Sequence, residues 1–500
     1  MRYVVDAASM KAVDEYSIKQ VGIPSMVLME RAALCVTETI LEKVHVGTNS
    51  KILCVCGTGN NGADGLAVAR QLTEKDINTD VYTVGEGNTT SEYRVQLNII
   101  ENLGIECISK PLFDNYDVIV DAVFGNGLSR NVEGKYKDIV ELINSASEKG
   151  STVVAVDIPT GVNATDGRIM GCCVKADITV TFGYEKLGMI LYPGTAYCGE
   201  VIIKNIGFAP FYEELKEIFV YEDEDIKRLP VRQRDGNKGT FGKALVVAGS
   251  SGCGGAAILA GKAAYNMGTG LVKVLTHMDN KEPLLIHVPE CLISTYDDTC
   301  SGENASLLLE GSLPWATCVA IGPGLSTDKR AERLTLEVAK KADIVRVFDA
   351  DALNIIARDK MTIETREGDS NAIITPHIGE MSRLTGISIP EIKKNIISTA
   401  VNYAREHHLI CVLKDARTVV TDGERVYINC SGNDGMATGG SGDVLTGIIT
   451  GLLATGMGCF DSACLGTFIH GKAGDKAAEY CGSVSMTATD IARYIKEVIK

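Results

Sequence analysis

Hydrophobic and polar positions along this chain form short apolar runs that alternate with longer amphipathic stretches. Runs such as Lys51–Cys56 and Cys318–Ile321 are almost wholly apolar, which predicts buried strands. Stretches such as residues 91–103 and 135–149 instead repeat apolar side chains at helical spacing. Strands that alternate with helices in this way predict an α/β protein with mostly parallel, doubly wound sheets.

The predicted elements form two groups separated by an acidic segment. The first group occupies residues 1–212 and the second occupies residues 230–500, and each is long enough to bury its own core. Residues 213–229 between them are rich in glutamate and aspartate and predict a mostly helical connector. Because runs of like charge are usually solvated, we expect this connector only to link two domains.

Three loops rich in glycine or polar residues follow strands of the first group, at residues 57–65, 125–131 and 157–161. Parallel strands end at one edge of a sheet, and doubly wound folds bind ligands there. The first loop has the GxGxxG spacing of dinucleotide sites, although that motif alone is weakly specific. Asp64 follows its third glycine and would repel a phosphate, so we expect this loop to bind sugar hydroxyls, an amide or a cation.

Two aspartates, Asp121 and Asp157, end predicted strands at the same edge. One could be a proton-transferring base and the other a cation ligand. The alternative interpretation is that each aspartate only caps a turn or a helix. The convergence of three polar loops on one edge favours the functional interpretation.

The most informative stretch of the second group is residues 432–445, with five glycines and two carboxylates, Asp434 and Asp443. Glycine N–H groups can turn towards an anion, and an apolar helix beginning near Asp443 would point its positive end there. This pattern predicts a phosphate site. A carboxylate repels phosphates, so its presence beside them indicates a chemical role, such as accepting the proton of an attacking hydroxyl. The alternative is a flexible loop followed by a helix cap.

Other loops of the second group support a cleft. A basic segment, residues 232–243, is compatible both with a loop that contacts substrate and with an ordinary solvated loop. Further predicted strands end at Gly324, at residues 349–354 and at Lys414. Several polar or glycine-rich loops at one edge are what a cleft for a nucleotide and a second substrate requires.

Composition narrows the choice of partners and compartment. The net charge is −15, which argues against a nucleic acid or an anionic membrane as partner. The 16 cysteines form no CxxC pair, so we expect free thiols in a reducing compartment and predict a cytoplasmic protein. We expect no secretory signal at the N-terminus, and no apolar run reaches the roughly 18 residues of a membrane span.

Most of the first 210 residues resemble the NAD(P)H-hydrate epimerase domain, which is a Rossmann-like three-layer sandwich. The motifs that carry the resemblance are GIPSMVLMERAA, GTGNNGADGLAVAR, DAVFGNGLSR and VDIPTGVNATDG. The resemblance implies epimerisation of hydrated NADH or NADPH at the hydroxyl-bearing C6, with Asp157 transferring a proton. It also implies a potassium ion bound by Asn61, Asp121 and Thr160. The implied hydrate-binding residues are Asn60, Asn61, Gly62, Ala63, Asp64, Gly125, Asn126, Gly127, Leu128, Ser129, Arg130, Asn131 and Asp157.

Residues from about 230 to 498 resemble the ADP- or ATP-dependent NAD(P)H-hydrate dehydratase, a member of the ribokinase-like superfamily. The motifs are NKGTFGKALVVAGS, IGPGL, FDADALN, ITPHIGEMSRL and GNDGMATGGSGDVLTGII. The resemblance implies that ADP or ATP, with magnesium, phosphorylates the C6 hydroxyl of the hydrate. Loss of phosphate then restores the double bond of the nicotinamide ring.

The same resemblance assigns roles to residues of this half. Asp443 would be the general base for the hydroxyl, and backbone N–H groups of residues 437–442 would stabilise the transferring phosphoryl group. The hydrate would be bound by Gly324, His377, Ile378, Gly379, Glu380, Met381, Ser382, Arg383 and Asp443. The nucleotide would be bound by Lys414, Asp415, Ala416, Arg417, Thr418, Asn433, Asp434, Gly435, Met436, Ala437, Thr438, Gly439, Gly440 and Gly442. Three residues depart from the family pattern, namely Ser326, Ile378 and Asp415.

The two halves together predict a bifunctional repair enzyme that acts on a small molecule with a nucleotide. We expect a homo-oligomer without nucleic acid or membrane partners. One alternative is a ribokinase-like kinase of a small alcohol or vitamin precursor, which would release a stable phosphoester. Another makes the first domain a non-catalytic binding scaffold, which the presence of Asn61, Asp121, Asp157 and Thr160 disfavours.

Overall fold

A computed structural model describes residues 1–44, 46–47, 49–85, 89–210, 218–297, 303–366 and 370–500. The chain divides into two compact units. Tyr3–Lys216 forms the N-terminal unit, and Met1–Arg2 with Glu217–Lys500 forms the C-terminal unit. The part of the predicted connector at residues 213–217 lies outside the described residues.

Strands and helices alternate through the first 210 residues, as predicted. The described strands are β1 (Arg2–Val5), β2 (Lys51–Cys56), β3 (Asn78–Thr83), β4 (Val118–Ala122), β5 (Thr152–Val156), β6 (Ile178–Phe182), β7 (Glu185–Lys186) and β8 (Glu200–Lys204). The described helices are α1 (Ala7–Glu15), α2 (Ser25–Lys43), α3 (Asn60–Thr73), α4 (Ser91–Asn102), α5 (Lys135–Glu148) and α6 (Leu187–Ile190).

The sheet of the N-terminal unit is parallel and is covered on both faces. Its strand order is β3-β2-β4-β5-β6-β8. In β2, Ile52, Cys54 and Cys56 pack with α2 and α3, whereas Leu53 and Val55 pack with α5 on the other face. This arrangement is the predicted Rossmann-like three-layer sandwich. The strand order reverses between β2 and β4, and ligands bind outside the carboxyl ends of strands at such a switch point.

The C-terminal unit also alternates strands with helices. Its described strands are β9 (Ile218–Val220), β10 (Lys243–Val247), β11 (Leu271–His277), β12 (Leu292–Tyr296), β13 (Cys318–Ile321), β14 (Val345–Phe348), β15 (Ala372–Ile374), β16 (Ile410–Leu413), β17 (Val419–Thr421) and β18 (Val426–Ile428). Its described helices are α7 (Gly254–Asn266), α8 (Lys281–His287), α9 (Glu303–Ser312), α10 (Lys329–Ala339), α11 (Asp351–Asp359), α12 (Ile378–Thr385), α13 (Ile389–Lys394), α14 (Ile396–His407), α15 (Ser441–Ala454), α16 (Cys459–Cys481) and α17 (Ala488–Val498).

The sheet of the C-terminal unit is mostly parallel. Within this unit the strand order is β12-β11-β10-β13-β14-β15-β16-β17-β18-β9, with β12 to β16 parallel. Strands β17 and β18 form the predicted antiparallel hairpin just before the glycine-rich stretch. The order reverses between β10 and β13, so the loops that follow these two strands flank a second switch point.

Helix α15 is the buried apolar helix predicted after Asp443. Glycines on α15 allow α7 to approach it closely. A Cβ atom at Gly447 would lie 2.3 Å from the carbonyl oxygen of Ala260 on α7. The first turn of α15 is thereby held in a fixed position by packing rather than carried on a free loop.

The structure corrects one expectation about the connector. Residues Ile218, Phe219 and Val220 form strand β9 instead of a helix, and β9 pairs in parallel with β18. Their side chains are 5%, 6% and 1% exposed. This apolar run can extend the sheet, so burial outweighs the helical preference of its acidic neighbours. Among the described connector residues, the helical segment is Asp223–Arg228, which is a single 3₁₀ segment.

Candidate active sites

A cavity of about 990 Å³ lies in the N-terminal unit, on the side where β2 and β4 end. Its volume is within the range of roughly 300–1,000 Å³ that is usual for small-molecule sites. All three predicted loops contribute to its wall. The predicted residues on this wall are Asn60, Asn61, Asp64, Gly125, Asn126, Gly127, Leu128, Ser129, Arg130 and Asp157.

Three predicted residues of the same loops do not line the cavity. Gly62 and Ala63 are buried in the first turn of α3, and Asn131 is exposed to solvent. A Cβ atom at Gly62 would lie 1.7 Å from the carbonyl oxygen of Gly57. The loop therefore needs this glycine so that the chain can turn tightly from β2 into α3.

Replacing Gly62 with alanine is expected to destabilise the N-terminal unit. The added methyl group has to displace backbone atoms of Gly57, and overpacking of this kind costs about 1–3 kcal/mol. The matched control is Gly127→Ala in the neighbouring loop, where an added Cβ meets no atom within 4 Å. Urea unfolding and amide hydrogen exchange along α3 measure both variants. Equal stability of the two variants would contradict the prediction.

Asp157 is held in an unusual conformation at the end of β5. Its φ is +67°, in the left-handed region that non-glycine residues rarely adopt. The N–H of Asn126 donates to its Oδ2 at 3.3 Å, and the Thr181 hydroxyl donates to its Oδ1 at 3.4 Å. Lys186 Nζ forms an ion pair with the same Oδ1. Our sequence interpretation missed Lys186, which is 1% exposed and lies on β7.

Two further carboxyl groups of the cavity wall, those of Asp64 and Asp14, have raised pKa values. Burial raises the pKa of Asp64 well above its usual range, and the charges of Asp157, Asp14 and Glu30 add to this effect. Burial also raises the pKa of Asp14, again with a contribution from Asp157. Asp14 lies on α1 and was another residue that we did not single out from the sequence.

Asp121 and Thr160 lie together next to Phe124, a residue of the cavity wall. The N–H of Thr160 donates to Asp121 Oδ2 at 2.8 Å, and its hydroxyl donates to Oδ1 at 2.7 Å. Burial raises the pKa of Asp121 to about 6. Asn61 Nδ2 is buried and has no hydrogen-bond partner among the described residues. Carboxylate, hydroxyl and amide oxygens are the hard ligands that a potassium ion prefers, and Asp121, Thr160 and Asn61 carry oxygens of these three kinds.

The C-terminal unit has an ion pair at its sheet edge that the sequence did not predict as a pair. Lys414 Nζ donates to Asp349 Oδ1 at 2.8 Å, and the Thr446 hydroxyl donates to Oδ2 at 2.7 Å. Burial acts to raise the pKa of Asp349, but Lys414 outweighs it and holds the pKa below its usual range. Gly442 lies beside this pair, since a Cβ atom there would be 3.4 Å from Lys414 Nζ.

Asp443 lies in the first turn of α15, immediately after Gly442. Its side chain is half-buried, and burial raises its pKa to about 7, with further contributions from the charges of Asp349 and Asp351. Lys414 opposes this shift. A carboxylate that titrates near neutrality, beside a fixed cation and a helix N-terminus, is suited to accept a proton.

The loop before α15 is anchored from α16. Asp475 accepts from the N–H of Gly432 at 3.0 Å and from the Asn433 side chain at 3.1 Å. The predicted nucleotide residues from Asn433 to Gly440 follow, with Asp434, Ala437 and Gly439 exposed. Gly440 has φ +91° and is the N-cap of α15. The remaining predicted residues of this group are Gly435, Met436 and Thr438, which are half-buried.

The predicted residues after Lys414 form the turn into β17. Asp415 and Ala416 are exposed, and the Thr418 hydroxyl donates to the Asp415 carbonyl at 3.3 Å. Arg417 donates to the Cys430 carbonyl at 3.4 Å. The exposed Asp415 carboxylate is therefore free to face solvent.

His377 is the N-cap of α12. Its Nδ1 accepts from the N–H groups of Gly379 at 2.9 Å and of Glu380 at 3.3 Å, and Glu380 Oε2 accepts from the His377 N–H. Burial lowers the pKa of His377, and Lys414 and Arg383 lower it further. Glu380 is 4% exposed, and burial raises its pKa to about 7. The histidine is thus a neutral helix cap with its Nε2 left for a ligand or for Glu380.

The other predicted residues of α12 and Gly324 differ in accessibility. Ile378 and Met381 are buried, whereas Arg383 is exposed and donates to Asn354 Oδ1 at 3.0 Å. The Ser382 hydroxyl donates to the Ile387 carbonyl at 2.6 Å. Gly324, after β13, has φ +56°. Ser326 nearby has φ +75°, in the left-handed region that glycine adopts without strain.

Three further observations concern the cysteines, membrane-spanning helices and metal-binding clusters of the described residues. All of their cysteines are free, as predicted for the part of the chain that is described. In the same residues, no helix is long and apolar enough to cross a bilayer. No cluster of three His, Cys, Asp or Glu side chains that could hold a metal ion occurs within the described ranges.

Comparisons with known proteins identify the family of the chain. A family profile described as NAD(P)H-hydrate dehydratase matches residues 244–497, and one described as YjeF-related protein N-terminus matches residues 25–188. The chain is 36% identical over 512 residues to a bifunctional NAD(P)H-hydrate repair enzyme of Thermofilum pendens, covering 99% of this chain and 96% of the relative. It is also 36% identical over 521 residues to such an enzyme of Moorella thermoacetica, covering 100% and 97%.

A solved structure supports the fold of the C-terminal unit. A ribokinase-like superfamily protein from Enterococcus faecalis has a TM-score of 0.51 and 25% identity, covering 58% of this chain and 98% of that one. The predicted ribokinase-like fold is therefore confirmed. The full-length relatives and both family profiles show that this chain belongs to the family of bifunctional NAD(P)H-hydrate repair enzymes.

Proposed function

We propose that this protein repairs hydrated NADH and NADPH in two steps. The N-terminal unit interconverts the epimers at the hydroxyl-bearing C6 of the hydrate. The C-terminal unit transfers a phosphoryl group from ADP or ATP to the hydroxyl of the S epimer, and loss of phosphate regenerates the reduced cofactor. The observation that carries the proposal is Asp443, a half-buried carboxyl group with a pKa near 7 in the first turn of a fixed helix.

The surroundings of Asp443 support phosphoryl transfer. The glycine-rich residues 437–442 lead into the N-terminus of α15, where N–H groups can stabilise charge on the transferring phosphoryl group. Lys414 is held beside Gly442 by Asp349 and supplies a fixed positive charge. Magnesium, when bound, would neutralise phosphate charge. The nucleotide phosphates and water would hold most of it, because the described residues offer no cluster of three metal-binding side chains.

The free cysteines support a reducing compartment, which fits the predicted cytoplasmic location. The expected homo-oligomer draws support from exposed apolar side chains of the C-terminal unit. Leu285 and Ile286 on α8 are 50% and 67% exposed, and Leu292 on the outermost strand β12 is 43% exposed. Such side chains on an edge strand and its neighbouring helix are commonly covered by another subunit.

The test of the proposed function follows the absorbance band of reduced nicotinamide. A mixture of R and S hydrate is incubated with the protein, magnesium and either ADP or ATP. We expect full recovery of the band with one or both nucleotides, and no recovery without a nucleotide. Accumulation of a stable phosphoester without recovery of the band would instead identify the small-alcohol kinase alternative.

A potassium ion held by Asn61, Asp121 and Thr160 is expected to stabilise the N-terminal unit. A ligand at a hundredfold excess over its Kd stabilises a folded protein by about 2.7 kcal/mol. Thermal unfolding in potassium chloride is compared with choline chloride at equal ionic strength, for the wild type and for Thr160→Val. Potassium should raise the unfolding temperature of the wild type and have less effect on the variant. An equal salt response of both proteins would contradict the site.

A further inference from the structure

The carboxyl groups of the N-terminal cavity have different partners, although they line the same wall. Asp157 is surrounded by donors, namely Lys186, the Thr181 hydroxyl and the N–H of Asn126. The Asp64 side chain forms no hydrogen bond or ion pair with any described residue. Two groups of the same chemical type therefore have different surroundings, because hydrogen-bond donors and a buried cation surround only Asp157.

The charged groups around Asp64 and Asp157 differ as well. Asp64 is on α3 and faces Asp14 on α1, Glu30 on α2 and Asp157 after β5, all of which raise its pKa in addition to burial. These neighbours disfavour a negative charge on Asp64. Asp157 is instead paired with Lys186, whose buried ammonium group also donates to the Thr181 hydroxyl at 2.6 Å. Two carboxyl groups with different surroundings in one active site can divide the roles of acid and base between them.

We propose that, in the epimerisation proposed above, Asp64 is the proton donor and Asp157 the proton acceptor, with Lys186 positioning Asp157. The proposal rests on the proposed function, and it assigns separate chemical tasks to residues that the sequence suggested only as one binding surface and one base. Both carboxyl groups lie on the wall of one cavity of about 990 Å³, Asp64 on α3 after β2 and Asp157 directly after β5.

The reaction can be written so that atoms and electrons balance. Asp64 protonates the C6 hydroxyl, the C6–O bond breaks, and the ring nitrogen N1 supplies the electron pair that forms an N1=C6 iminium. The hydroxyl leaves as water. A water molecule then adds to the other face of C6, Asp157 takes its proton, and the electron pair returns to N1. A proton passing from Asp157 to Asp64 through water restores the starting state.

The test measures epimerisation of the purified R hydrate by full-length protein as a function of pH. Asp64→Asn should lower kcat/KM by about 10²–10⁴-fold, the usual contribution of a positioned acid, and should lose the fall in rate at high pH. Asp14→Asn should keep the proton donor but move that fall to lower pH, because it removes a charge that raises the pKa of Asp64. Nucleotide-dependent dehydration of the S hydrate by the same preparations checks that each variant is folded.

A second measurement on the wild type needs no variant. Epimerisation in ¹⁸O-labelled water should place the label in the C6 hydroxyl of both epimers at the rate of epimerisation. Epimerisation without label, or a rate of Asp64→Asn within about threefold of the wild type, would overturn the assignment of Asp64. A wild type that does not exceed spontaneous epimerisation, while still dehydrating the S hydrate, would instead refute the proposed function of the N-terminal unit.

Kinetic measurements on Lys186 variants test whether this residue positions Asp157. Lys186→Met should lower kcat with little change in KM, because Asp157 loses its ion pair while the cavity keeps its polar wall. Lys186→Arg should recover part of kcat, since it restores the positive charge. Equal kcat for the methionine variant and the wild type would overturn the role of Lys186.

Discussion

Replacing Asp443 with asparagine is expected to abolish nucleotide-dependent dehydration while leaving epimerisation unchanged. Asparagine has nearly the same shape but cannot accept the proton of the C6 hydroxyl. A positioned general base contributes about 10²–10⁴-fold to a rate, so the loss should reach that size. The measurement is recovery of the reduced-nicotinamide absorbance from S hydrate with magnesium and ADP or ATP.

The pH dependence of the wild type gives a second check on Asp443. Its pKa is about 7, and a base works only in its ionised form. The dehydration rate should therefore rise as pH increases through about 7 and then level off. Bound nucleotide phosphates add negative charge and should move the rise to higher pH. The asparagine variant should lose this rise.

The matched control for this prediction is Asp461→Asn. Asp461 also lies in the first turn of a helix, α16, but its side chain is exposed. Each substitution removes one carboxylate from a helix N-terminus, which costs typically 0.3–1 kcal/mol. Only the Asp443 variant should lose activity. Near-normal dehydration by Asp443→Asn would refute the general-base assignment.

Much of the architecture followed from patterns that depend on local chemistry. The buried strand Lys51–Cys56 was predicted with the same bounds that the structure has, because an apolar run between turn residues has few other solutions. The helix after Asp443 was predicted for a similar reason, since glycines before an apolar stretch mark a helix that begins at the edge of a sheet. These features need only neighbouring residues to be interpreted.

The interactions that we did not predict from the sequence join residues that are distant in the chain. Lys186 pairs with Asp157 across 29 positions, and Lys414 pairs with Asp349 across 65 positions. No local pattern identifies which lysine will be buried beside which aspartate. Strand β9 was missed for the same reason, because its neighbour β18 lies far along the chain.

His377 illustrates a motif whose structural and functional interpretations overlap. The resemblance implied a ligand-binding histidine, and the structure uses its Nδ1 as the cap of α12. The same side chain can still offer Nε2 to the cleft, where burial, with the charges of Lys414 and Arg383, lowers its pKa. Its position in the motif therefore reflects the start of a helix as much as recognition of the hydrate.

Replacing Asp157 with asparagine is expected to abolish epimerisation, so that repair of an epimer mixture stops when the S hydrate is exhausted. Asparagine tolerates the left-handed conformation that Asp157 adopts at φ +67°, so the backbone conformation should not change. The amide keeps the hydrogen bond from Asn126 but cannot take a proton. Slow spontaneous epimerisation should account for any further repair.

The variant also tests what the ion pair does for stability. Lys186 is 1% exposed, and leaving a buried charge without its partner costs about 3–5 kcal/mol. Asp157→Asn should therefore lower the free energy of unfolding in urea. The double variant Asp157→Asn with Lys186→Met removes both charges and should recover stability.

The double variant separates catalysis from folding. If Asp157 only stabilised the N-terminal unit, restoring stability with Lys186→Met would also restore epimerisation. Because we assign the proton transfer to the Asp157 carboxylate itself, we expect the double variant to be stable and inactive as an epimerase. It should still dehydrate the S hydrate with a nucleotide. Full consumption of both epimers by either variant, beyond the spontaneous rate, would show that Asp157 does not carry the reaction.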